Sequence, residues 1–322
     1  MMNVTEMRRV GAFEKARTFV ARNGVLRRIK TGFAVIALAA MTLAVLGSRE
    51  FLRAIWTAVD ALYIVAAVLV WMGLHFLSPL FLKIVLGRSR PLSYRDALSV
   101  HALRLPSRYL PGGIWHTVAR VADLSAMGHS PRALTEFVLL ENLVAAGFAL
   151  GVGGAVLVAV GGEKWRLLIG LIAFGGFIAL LLAPYAGRLL SRSESAIPPA
   201  RYVRLILLVA FFWTLASLAF VTFVKGFRAE VFDATVLETA GAYLFSWGVG
   251  FVTIFAPQGI GVFEYVAGTL LSGKVRLVEA VSVMASFRVV VLLADLGAWA
   301  LVSLALRCPG SSKSGDMESG GK

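Results

Sequence analysis

The sequence predicts an all-α polytopic membrane protein with about seven to eight transmembrane helices and two helical elements that are broken by Pro and Gly or re-entrant. Three observations predict it. Hydrophobic residues make up 58% and charged residues 16% of the 322 positions, and the mean hydropathy is +0.80, beyond the range of soluble chains. Apolar runs of membrane-crossing length recur from end to end. Two Pro/Gly sequences, Leu110-Pro111-Gly112-Gly113-Ile114 and Ala256-Pro257-Gln258-Gly259-Ile260-Gly261, interrupt the apolar chain far apart and read as copies of one device.

Residues 1–30 carry Arg8, Arg9, Lys15, Arg17, Arg22, Arg27, Arg28 and Lys30 against Glu6 and Glu14, with Val10, Phe13, Val20 and Leu26 interleaved. This reads either as a basic amphipathic helix on the cytoplasmic leaflet or as a disordered basic tail that sets orientation. The apolar core from Gly32 to Gly47 has the length of a signal-peptide core, and the hydrophobic chain after it makes it an uncleaved anchor. Spans are expected near 31–47, 56–82, 133–160, 166–187, 203–224, 235–255 and 278–306, so that 31–307 forms one transmembrane domain. Residues 308–322, rich in Gly and Ser, have the composition of a disordered tail.

Between the second and third runs, Leu92 to Asp123 carries Arg95, His101, Arg104, Arg108, His116 and Arg120. That stretch is too polar to cross lipid alone, which predicts an elbow-shaped or re-entrant helical pair. The piece from Gly261 to Leu271 after the second break is also too short to cross. Freed backbone groups at membrane depth must face protein or a water-filled cavity, and a matched pair of breaks in two halves points to a transporter-like site. A helix starting at Gly113 or Gly259 would aim unpaired N–H groups and its positive end at an anion. The halves run in similar order: Arg120, Gly128, Ala133, Glu136 and Glu141 follow the first break, and Glu264, Gly273, Ala280, Arg288 and Asp295 follow the second, with the charge signs exchanged. An inverted repeat would make the two breaks face each other.

The formal net charge of +14 arises mostly between apolar runs and in the first thirty residues. Membrane orientation accounts for it without a nucleic-acid partner: the N-terminus, 83–95, 188–204 and the Lys274–Arg276 region read as cytoplasmic. Counting crossings leaves the side of the C-terminus open. The charges inside apolar stretches are Glu136, Glu141, Glu264, Arg288 and Asp295, with Arg108 and Arg120 in the elbow. Each costs roughly 2.5–3.5 kcal/mol at a helix centre, so all should face the bundle interior, with Glu264–Arg288 and Arg120–Glu141 as candidate pairs. Arg108, Arg120 and Arg288 suit an anionic headgroup because guanidinium forks match phosphate; the same residues also suit a buried structural network. Gln258, His116 and Tyr265 could orient a ligand. Spacings such as Gly147-xxx-Gly151 and the Gly153-Gly154 pair predict close helix packing, and Trp56, Trp71, Trp165, Trp247 and Trp299 read mostly as interfacial anchors.

Enzyme readings fail on motifs. Lys83, six residues and then Arg90-Pro91 match the first motif of membrane phosphatidic-acid phosphatases, but no Pro-Ser-Gly-His occurs and His116 and Asp123 lie at the wrong spacing after Ser107-Arg108. No nucleophile elbow, His-Glu-x-x-His or P-loop is present in the sequence. A lone cysteine, Cys308, makes no internal disulfide or thiolate cluster. No catalytic residue, metal or other cofactor is therefore expected.

Arg108-Tyr-Leu-Pro-Gly-Gly-Ile-Trp115, followed by Arg120, Gly128 and Glu141, resembles the transmembrane region of the lysylphosphatidylglycerol synthase family. Pro257-Gln-Gly-Ile-Gly-Val-Phe-Glu264 with Arg288 looks like that family's second signature, a Pro-Gly-Gly-x-Gly-x-x-Glu pattern followed by an Arg in the next span. The likeness covers about residues 31–307 and departs at Gln258, where Gly is usual. It implies the flippase half of multiple peptide resistance factors, which moves aminoacylated phosphatidylglycerol between leaflets; relatives are linked to polyprenyl-phosphate sugars. No aminoacyl-transferase domain is expected here.

The expectation is a lipid flippase or flippase-like transporter of the cytoplasmic (inner) membrane for an anionic, aminoacylated or polyprenyl-phosphate-linked lipid. Its expected binding set is Arg108, Pro111, Gly112, Gly113, His116, Arg120, Glu141, Pro257, Gln258, Gly259, Gly261, Glu264, Arg288 and Asp295. Glu264 or Asp295 would carry a coupling proton. A separate synthase or glycosyltransferase is a candidate partner, and the alternative function is a non-catalytic scaffold that recruits such an enzyme.

Overall fold

The computed structural model describes residues 39, 42–43, 46–47, 49–57, 59–87, 90–109, 114–160, 165–191, 197–227, 232–253, 256–273 and 276–307. The basic N-terminal segment, most of the first expected span, the first Pro/Gly break at 110–113 and the 308–322 tail lie outside them. Among the described residues every regular element is helical: α1 (Arg49–Thr57), α2 (Ala61–Leu86), α3 (Tyr94–Ala102), α4 (Trp115–Ala126), α5 (Pro131–Val160), α6 (Arg166–Ser191), α7 (Pro199–Lys225), α8 (Val236–Val252), α9 (Val262–Leu271) and α10 (Leu277–Arg307). Two 3-10 turns, Leu105–Tyr109 and Pro257–Gly259, stand at the two breaks.

Five helices, within α2, α5, α6, α7 and α10, are long and apolar enough to cross a membrane. The chain is thus a multi-pass helical membrane protein. The run expected at 235–255 yields α8, with 17 residues, roughly 26 Å at 1.5 Å per residue. The second run, expected from 56, begins at Ala61 instead. Asp60 ends the preceding segment by accepting from the Leu62 amide at 2.9 Å, and residues 49–57 form the separate short helix α1.

The elbow forms as a pair of short helices. Ser93 caps α3 by accepting from the Asp96 amide at 3.1 Å, a contact of about 1 kcal/mol. The Tyr94 hydroxyl fastens α3 to α2 by donating to the Phe76 carbonyl at 2.7 Å. Arg104 and Asp123 tie the end of α3 to α4 through two hydrogen bonds of 2.6 and 2.8 Å. Thr235 and Glu238 form a reciprocal capping box at the start of α8.

The small-residue stripe of α5 packs as expected. A Cβ at Gly147 would stand 2.9 Å from the Gly176 carbonyl of α6, and one at Gly153 2.6 Å from Leu244 of α8. α2 packs on α7 and α10, and α9 lies between α8 and α10. Their common centre is aromatic: Phe220 stacks on Tyr243 at 4.9 Å and meets Phe287 edge-on at 5.0 Å, with Trp71 edge-on to Phe287 at 5.4 Å. Trp71 is therefore a core residue rather than an interfacial anchor. Tyr243 of this packed centre lies within electrostatic reach of Arg108.

Candidate functional site

The second break is built from left-handed backbone. Gln258 has φ 54°, Gly259 66° and Gly261 83°, a region that costs an L side chain energy and glycine almost none. Gly259 is also pressed against α8, since a Cβ there would come within 2.9 Å of Gly250 Cα. Gln258 carries a side chain in this conformation, and its Nε2 donates to the carbonyl of Arg108. That bond joins the second break to the residue two positions before the first. The expected binding residues Pro111, Gly112 and Gly113 lie outside the described residues, as does the side chain of Pro257.

The expected helix start at Gly259 is not what forms. The chain turns through Pro257–Gly259 and α9 begins at Val262. The Gly261 amide is occupied by Glu264 Oε2 at 2.7 Å, so a side chain of the same helix takes the position an anion would have filled. The start of α4 differs: Ile114, its first flanking residue, makes no side-chain cap bond.

Both expected ion pairs form. Arg120 NH1 and NH2 reach Glu141 Oε1 and Oε2 at 2.8 and 2.6 Å, a fork-to-fork pair between α4 and α5, with the guanidinium 5.3 Å from the Phe137 ring centre. Arg288 Nε donates to Glu264 Oε1 between α10 and α9. Glu264 is fully buried whereas Arg288 is 32% exposed. Buried carboxylates in apolar surroundings require such partners.

A third cluster centres on Asp295, whose side chain is 1% exposed. Its Oδ1 accepts from His75 Nε2 at 2.8 Å; Oδ2 accepts from Arg108 NH1 at 3.1 Å and from the Tyr109 hydroxyl at 2.9 Å. The Arg108 and Tyr109 donors suit an ionised carboxylate, with His75 Nε2 as the third partner. His75 Nδ1 continues to His101 Nε2 at 3.2 Å, and His101 meets His116 edge-on with ring centres 5.7 Å apart. Pro79 in α2 has no amide to offer the carbonyl of His75.

The clusters form one neighbourhood. Arg108 and Arg288 both lie within electrostatic reach of Tyr109. Arg108 and Arg120 both act on His116 and His101, and Arg108 acts on Tyr243. Arg108, His116, Arg120, Glu141, Gln258, Glu264, Arg288 and Asp295 thus converge at the meeting of α3, α4, α9 and α10 beside α2 and α5. Tyr265, considered as an orienting residue, is exposed. His75 and Tyr109 were not anticipated. His75 is, with Lys83, one of the two basic side chains inside the apolar helix α2, and that isolation was the signal available. Among the described residues no group of histidine, cysteine and acidic side chains has metal-holding geometry. In comparisons with known proteins no family model matches the chain, and no curated protein matches it significantly.

Proposed function

We propose that the protein is a lipid flippase or flippase-like transporter whose polar neighbourhood receives the phosphate of an anionic lipid headgroup while the tails stay in the bilayer. The observation that carries this is the convergence of Arg108, Arg120 and Arg288, each on a different element and each held by a separate carboxylate. Guanidinium forks bind phosphate bidentately, and a carboxylate partner keeps each one oriented and neutralised until a competing anion arrives. Arg108 and Arg288 are each about one-third exposed, which leaves them reachable, while Arg120 is buried.

A second feature supports alternating exposure. After each break comes a short helix, α4 or α9, then a left-handed glycine, Gly128 with φ 87° or Gly273 with φ 45°, and then a long helix, α5 or α10. In both halves the short helix is tied to the long one by an ion pair, Arg120–Glu141 and Glu264–Arg288, with the signs exchanged. This is the pattern of an internal repeat around a central site. In this reading the membrane is the cytoplasmic (inner) one with the N-terminus inside, and the lipid comes from a separate synthase or glycosyltransferase.

Native mass spectrometry of the purified protein in mixed detergent and lipid tests the binding step. Phosphatidylglycerol and polyprenyl phosphate are expected to be retained at least fivefold over phosphatidylcholine, with the preference lost in Arg108→Gln. Equal retention of anionic and zwitterionic lipids would count against the headgroup role and favour the scaffold.

A further inference from the structure

We propose that His116, His101, His75 and Asp295 form a proton path, and that a proton is the co-substrate of lipid movement. This rests on the lipid-transport reading and adds its energy source. Three of the chain's four histidines, contributed by α2, α3 and α4, meet here.

The hydrogen bonds order the protons. His75 Nε2 donates to the Asp295 carboxylate at 2.8 Å, so a neutral His75 has its lone pair on Nδ1. At 3.2 Å from that lone pair, His101 Nε2 must carry hydrogen, which leaves His101 Nδ1 as a bare acceptor. That atom is buried and has no protein partner, and the same holds for His116 Nε2, whose ring centre lies 5.7 Å from that of His101. His116 is half-buried while His101 and His75 are buried, which makes His116 the entrance.

A proton reaching His101 Nδ1 releases the one on Nε2 to His75 Nδ1, and His75 releases its own from Nε2 to Asp295 Oδ1. One proton enters, one N–H bond forms and one breaks on each ring, and the carboxylate becomes a carboxylic acid. Both imidazoles end neutral in the opposite tautomer. A return along the same route restores them; departure from the Oδ2 side, towards the part-exposed Arg108 and Tyr109, requires both rings to turn over before the next proton.

The charge balance gives this path its purpose. Arg108, Arg120 and Arg288 are matched by Asp295, Glu141 and Glu264, so a phosphate monoanion entering alone would leave one uncompensated charge at membrane depth. Such a charge is costly. Neutralising Asp295 with one proton restores the balance and frees Arg108 from its 3.1 Å contact to turn to the phosphate. The groups facing Asp295 are His75 on α2 and Arg108 and Tyr109 on the 3-10 turn. His101 on α3, His116 and Arg120 on α4, Arg288 on α10 and Tyr243 on α8 stand behind them, with Glu264 on α9 bound to Arg288.

The test uses the full chain in vesicles containing fluorescent phosphatidylglycerol, with a pH dye trapped inside. An inward gradient of one pH unit should accelerate inward lipid movement up to about tenfold at one proton per lipid, with internal acidification, and a protonophore should abolish both. His101→Gln should lose the gradient response and the acidification and slow lipid exchange at matched pH, while still retaining phosphatidylglycerol over phosphatidylcholine; His75→Gln serves as a second block. Lipid exchange that ignores the gradient and moves no protons overturns the proton path and leaves the lipid reading intact. Acidification without any lipid exchange upholds the path and overturns the lipid reading. If neither moves, infrared difference spectra after a jump from pH 8 to pH 5 decide the path: an acid carbonyl band absent in Asp295→Asn and slowed in His101→Gln upholds it, and no such band overturns it.

Discussion

Gln258 holds two opposed contributions in one residue. Its left-handed backbone, at φ 54°, costs about 1 kcal/mol relative to glycine, while the bond from its amide to the Arg108 carbonyl returns a similar amount. Gln258→Gly should therefore leave the melting temperature of the detergent-solubilised protein nearly unchanged. Gln258→Ala, which keeps the strain and loses the bond, should lower stability by about 1 kcal/mol. The departure from glycine noted in the sequence thus has a local reason, but its partner lies 150 positions away and no spacing rule reaches it. The charged residues were more legible. A charge within an apolar run has few counter-charges to choose from, which is why Arg120–Glu141 and Glu264–Arg288 could be paired from sequence. Asp295 could not, because two of its three partners, His75 and Tyr109, are residue types with many ordinary uses. Removing Arg288 strands the fully buried Glu264, so Arg288→Ala should cost about 3–5 kcal/mol, while Arg288→Met with Glu264→Gln should be far milder. Thermal unfolding of the single and double variants checks this.

Among the elements, the long helices were read to within a few residues because lipid demands an unbroken apolar length. The exceptions are where a cap or break decides. Asp60 starts α2 later than hydropathy implies, and α8 stops at Val252 because Thr253 takes an extended backbone, with ψ 95°. The α9 N-terminus was misjudged for a related reason: Glu264 folds back onto the Gly261 amide, a local bond that turns a candidate anion site into a self-capped helix. The glycine stripe of α5 was legible as packing, and its energetic weight can be measured. Gly147 faces the Gly176 carbonyl with room for no side chain, so Gly147→Val should destabilise the α5–α6 hairpin by about 1–3 kcal/mol, read as a lowered melting temperature. Gly175→Ala on α6, where a Cβ meets nothing within 4 Å, should be close to silent.

At the scale of the whole molecule, the two breaks and their flanking short helices gather charges from both ends of the sequence into one neighbourhood, bounded on one side by the aromatic packing of Phe220, Tyr243 and Phe287. The class of fold was evident from composition; the convergence was not, since it depends on α3 folding against α2 and α10 and on α4 folding against α3 and α5. If that neighbourhood is where a headgroup crosses, transport must depend on its charges while tolerating changes to the lipid-facing surface. The most direct measurement is leaflet exchange of fluorescent phosphatidylglycerol and phosphatidylcholine in vesicles at matched pH. It compares the wild type, the Arg288→Met with Glu264→Gln double variant, and the lipid-facing Leu171→Ala, all shown to be folded. The account predicts exchange of phosphatidylglycerol well above that of phosphatidylcholine in the wild type and in Leu171→Ala, falling at least tenfold in the double variant. Equal exchange of both lipids, or full phosphatidylglycerol exchange in the folded double variant, would contradict it.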